Sequence, residues 1–115
     1  MKVNIYKEIT LQILPILGGV VLSYFFWWNN IVLALIYTLA IVLILITKYY
    51  PGDVHALVIG FILGLIVEIP GTFISGYQSF TNPDFLGIPM WLPIAWAYGF
   101  MFMKRIGVSI YLAKR

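Results

Sequence analysis

Few side chains in this chain can do chemistry, and Glu68 is the most conspicuous of them. It stands inside the apolar run LIVEIPGTF (65–73), two residues before Pro70. Hydrocarbon disfavours a charged carboxylate, so an acid here points to a proton donor, a proton carrier or a hydrogen bond that fixes packing. A helical proline cannot return an N–H to the carbonyl four positions back, that of Ile66, and it bends the axis there. Trp96 and Tyr98 carry polar tips suited to such an acid, and Tyr77 is a further hydroxyl in the following loop. The one histidine, His55, lies about 20 Å from Glu68 along a single helix and reads as an interfacial first-turn residue. Four acids, one histidine and no cysteine are too few for a metal centre or a disulfide framework. No metal and no cofactor are expected.

The elements that position Glu68 follow from composition. The 115 residues are 63% hydrophobic and only 10% charged, with a mean hydropathy of +1.01. That is too little polar surface to cover a soluble domain of this size, and the apolar residues fall in blocks long enough to cross a bilayer. The reading is an all-α, polytopic membrane protein of one domain, residues 1–115, with four transmembrane helices. Spans are expected at about 9–28, 31–47, 55–76 and 89–112, with Asp53 capping the third and Pro70 kinking it. The N-terminal span ends in the bulky FFWWNN (25–30), so it reads as a retained anchor instead of a cleaved signal.

Orientation follows from the basic residues. Lys2, Lys7, Lys48, Lys104, Arg105, Lys114 and Arg115 all fall in the two tails or the middle loop, on one side of a four-span chain. The positive-inside rule then places both termini in the cytoplasm of a multi-pass cell-membrane protein. The aromatic residues YFFWW (24–28) and Trp91 mark the outer interface and Tyr49–Tyr50 the inner one. The net charge of +3 is thereby a topology signal, calling for membrane lipids as partners and for no nucleic acid.

Every fourth residue of the third span forms a stripe: Gly60, Gly64, Glu68, Thr72, Gly76. Small residues let helix backbones approach closely in lipid, so this face is expected to pack on another helix, in the chain or across an oligomer. The stripe turns Glu68 inward. Trp96, at matching depth on the fourth span, is its expected partner, together with the carbonyl freed by Pro70.

Residues 68–96 contain the order Glu68, Gly71, Gly76, Tyr77, Gly87, Pro89, Pro93, Trp96, with GIPMWLPIAW at 87–96. That order resembles the integral-membrane carotenoid hydratases of the bacterioruberin pathway. These show a membrane glutamate, a Gly/Tyr-rich loop, and a glycine–hydrophobic–proline run leading into a helix with proline, alanine and tryptophan. The resemblance implies an isoprenoid or lipid substrate and makes Glu68 a catalytic general acid, protonating a double bond before water adds to the cation. The chain is shorter than those hydratases, and completing a pocket would take more than one copy.

Three functions are therefore expected in descending order. The first is a structural or accessory subunit, whose small-residue stripe and aromatic edges pack on other membrane subunits or on copies of itself. The second is the hydratase-like enzyme. The third is a proton-coupled transporter of small solutes, for which a protonatable acid in a kinked helix is suited.

Overall fold

The computed structural model describes residues 4–113. The chain is all-α, with four helices: α1 (Ile5–Phe26), α2 (Asn30–Thr47), α3 (Asp53–Ile69) and α4 (Trp91–Ala113). Asn4 caps α1 by accepting the Lys7 N–H, and Asn29 caps α2 by accepting that of Val32. In both, a short side-chain carbonyl replaces the partner that a first-turn amide lacks. The cap of α3 is Gly52, at φ 90°, and Asp53 is the first helical residue. Asp53 is therefore not a cap; its carboxylate is drawn away to two cations of α4.

Three helical segments are long and apolar enough to cross a membrane: Ile5–Phe26, Asn30–Thr47 and Asp53–Ile74. The last joins α3 to a π turn, Pro70–Ile74, in which the Ser75 N–H reaches the Pro70 carbonyl at 2.9 Å. Pro70 has no N–H to give to Ile66, and the ladder resumes with the wider spacing. The helix of 23 residues, α4, is broken as an apolar run by Lys104 and Arg105.

Packing is closest between α3 and α4. A Cβ at Gly60 would lie 2.7 Å from the Trp96 carbonyl oxygen and 2.8 Å from the Phe100 Cβ. At Gly64 it would lie 2.7 Å from the Cβ and Cγ of Trp96. Only glycine allows this approach. Helices α1 and α2 lean on the other side of α4 and leave between them an apolar cavity of about 400 Å³, bordered by Pro15, Gly19, Tyr37, Ile94 and Tyr98. The fully buried apolar core is small: Leu33, Ile88 and Met101 are the large members.

Candidate functional site

The Glu68 site sits where α3 passes into the π turn, under the loop of residues 75–90. The Gln78 amide donates to the Glu68 carboxylate at 2.5 Å, and the Thr72 hydroxyl lies 2.9 Å from the Glu68 carbonyl and 3.2 Å from that of Leu86. A Cβ at Gly71 would meet the Tyr77 hydroxyl at 2.6 Å, and one at Gly87 the Thr72 hydroxyl at 2.9 Å. The two glycines thus let the loop lie flat on the helix end. Leu86 and Gly87, at φ 47° and 85°, turn the chain back so that Ile88 is buried beneath it.

The residues singled out in the sequence divide into three groups. Gly60, Gly64, Glu68 and Thr72 lie along one side of the third segment, the first two against α4 and the last two against the loop. Gly76 lies past the π turn at φ 71°, with nothing within 4 Å of a would-be Cβ, so it serves chain reversal and not packing. Trp96 stands against Gly64 and stacks on Phe100 at 6.2 Å; the carboxylate of Glu68 goes to Gln78 instead. Tyr98, two residues on, faces the opposite side of α4, because two residues of an α-helix turn about 200°. Its hydroxyl donates to the Gln12 carbonyl of α1 at 2.8 Å, at the edge of the apolar cavity. Tyr77 is three-quarters exposed apart from its hydroxyl contact.

A second polar cluster, at the basic end of the bundle, escaped the sequence reading. Asp53 is fully buried and takes Arg105 Nη2 at 2.6 Å and Lys104 Nζ at 2.7 Å. The Tyr50 N–H donates to the same carboxylate at 2.9 Å. Arg105 also donates to the Lys48 carbonyl at 2.9 Å and to the Gln12 side chain at 3.4 Å, and its guanidinium lies 4.7 Å from the Tyr50 ring centre. Gln12 in turn donates to Glu8, which accepts the Tyr50 hydroxyl. One guanidinium thereby joins α1, the end of α2, α3 and α4. Hydrogen bonding to Tyr50 pushes the Lys48 ammonium above its ordinary pKa. The arginine was legible as a topology charge, but its 52-residue reach to Asp53 was not.

The Asn29–Asn30 turn ties the other end. The buried Asn30 donates to the Asn82 carbonyl and accepts the Trp91 indole N–H at 3.2 Å, while the Asn82 amide donates to Trp28. Among the described residues, no group of three or more acids, histidines or cysteines comes together as a metal site. No protein family, curated protein or solved structure matches this chain.

Proposed function

We propose that this protein is a four-span integral membrane protein of the cell membrane that works as a structural or accessory subunit, in a larger membrane assembly or a homo-oligomer. The basic end, with both termini, faces the cytoplasm, and the loop of residues 75–90 faces outward. The fourth span is α4, whose stretch from Trp91 to Met103 covers about 20 Å before the Lys104–Arg105 pair reaches the inner interface. Pro70 and the π turn bend the third span near its outer end.

The observation that carries this reading is how the polar groups are spent. Every buried side-chain nitrogen and oxygen among the described residues has a partner in the chain. Those partners link one helix to another or the loop to a helix end, the arrangement of a scaffold. The outward faces of α1 and α2 are apolar, with Leu17, Val20, Leu35 and Leu39 more than half exposed, and await lipid or neighbouring helices. Purification of the protein from its native membrane in mild detergent tests the proposal. A reproducible companion subunit or a defined homo-oligomer supports it, and a solitary monomer overturns it.

The second reading is a hydratase-like enzyme acting on an isoprenoid or lipid, with Glu68 as the general acid. It is favoured by one specific observation: Glu68, Gly71, Tyr77 and Gly87, far apart in the loop sequence, gather at one end of α3. Glu68 borders neither the apolar cavity nor the basic cleft of the single chain, so this reading calls for a second copy to complete the pocket.

A further inference from the structure

The basic end contains more than the Asp53 lock. A cleft of about 1330 Å³ opens between the start of α1, the turn after α2 and the last turns of α4. Its walls carry Lys7, Lys48, Lys104 and Arg105 against a single acid, Glu8. Asp53, behind the wall, engages Lys104 and Arg105, yet the cluster keeps an excess of two positive charges. Arg105 is buried and its donors are committed to Asp53, Gln12 and the Lys48 carbonyl. It fixes the geometry, leaving Lys7 and Lys48, both exposed on the rim, and the part-exposed Lys104 to meet a ligand.

The remaining walls are of the opposite character. Leu11 on α1 and Val108 and Leu112 on α4 border the same cleft, each more than two-fifths exposed. A site with ammonium groups at the rim and aliphatic side chains running down its wall matches an amphiphile: an anionic head with a chain attached. Lysines contribute compact point charges suited to a phosphate oxyanion. The setting is right too, since basic pockets between helices at the cytoplasmic interface bind anionic headgroups, and Tyr50 is an interfacial aromatic at the cleft edge.

The geometry points to a bound anionic phospholipid, its phosphate held by Lys7, Lys48 and Lys104 and one acyl chain lying along Leu11, Val108 and Leu112. This goes beyond the accessory reading and needs only that the basic end lie at a membrane surface. Free phosphate shares the head chemistry; the aliphatic wall favours the lipid as its source.

Full-length protein in neutral detergent, titrated with phosphatidylglycerol, phosphatidylcholine or inorganic phosphate, tests the site by unfolding temperature and by native mass spectrometry. The expected result is a rise in unfolding temperature and a retained adduct with phosphatidylglycerol, and neither with phosphatidylcholine. In the double variant Lys7→Gln/Lys48→Gln, both changes being at exposed positions, phosphatidylglycerol should bind roughly tenfold to thirtyfold more weakly. The lipid-free unfolding temperature of that variant should match the parent. An equal response to phosphatidylcholine, or undiminished binding by the double variant, overturns the site. A full response to inorganic phosphate alone overturns the lipid as its occupant. Loss of any companion subunit leaves these readings untouched, so the two proposals fail separately.

Discussion

Arg105 and Asp53 meet 52 positions apart in the chain, Nη2 to Oδ2 at 2.6 Å, with both side chains almost wholly out of solvent. Such a pair contributes little net stability over an apolar replacement, because desolvation offsets much of the attraction. Breaking it is another matter, since one charge is then buried alone. Asp53→Asn should destabilise the folded protein by about 3–5 kcal/mol, read from denaturant or thermal unfolding in detergent. The double variant Asp53→Asn/Arg105→Gln should recover part of that loss. A single variant as stable as the parent would show that the pair is not buried.

The α3–α4 interface offers a steric test. Gly60→Ala drives a methyl group into the Trp96 carbonyl and the Phe100 Cβ, where the nearest atoms are backbone or rooted to it. A loss of about 1–3 kcal/mol is expected from overpacking. Gly18→Ala, where a Cβ meets nothing within 4 Å, should cost nothing by the same measurement. Gly64→Leu, which places a bulky side chain against the root of Trp96, should cost more than Gly60→Ala.

Glu68→Gln separates the two functional readings. The amide retains the shape and an oxygen able to accept the Gln78 amide, yet it cannot deliver a proton. On the accessory reading, assembly and unfolding temperature stay within about 1 kcal/mol of the parent, the scale of one neutral hydrogen bond. A folded variant that hydrates no isoprenoid, beside a parent that does, would transfer the site to the enzyme reading.

The loop end can be loosened independently. Asn30→Ala removes the partners of both the Trp91 indole and the Asn82 carbonyl. Amide exchange should quicken in residues 80–90 while the α3–α4 contact at Gly60 stays protected. Exchange unchanged in the loop would mean that Ile88 burial alone holds it.

Topology is the most direct measurement. Reporter fusions at the C-terminus and in the segment 77–86 should report cytoplasmic and external locations respectively, as the one-sided distribution of basic residues requires. An external C-terminus would remove α4 as a fourth span.

The helices were legible in the sequence because apolar run length and asparagine caps are local signals. The closeness of Gly60 and Gly64 to a neighbour was also legible as a pattern, since spacing by four defines a face without naming what lies opposite. Long-range polar pairing was not. Nothing local distinguishes an arginine that serves the positive-inside bias from one that reaches back to Asp53, because both stand at the same end of a span. The partner of Glu68 was misjudged for a related reason. Depth along the helix placed Trp96 level with it, but a loop able to fold over the helix end brought Gln78 closer. Trp96 and Tyr98, near neighbours in sequence, were separated by helical rotation alone.

The π turn also bears on how this chain can change length. Its five residues, Pro70–Ile74, close a ring one residue larger than an α turn, so the segment already holds a single-residue insertion. Deleting one residue there would let the helix resume ordinary winding, leaving the Gly60–Gly64 contact with α4 where it is. Everything downstream would rotate by about 100°. Thr72 would lose the Leu86 carbonyl, and the loop would have to find a new seat on the helix end. Insertions and deletions in this chain therefore have a natural address, at the junction between a rigid helix pair and the loop that covers it.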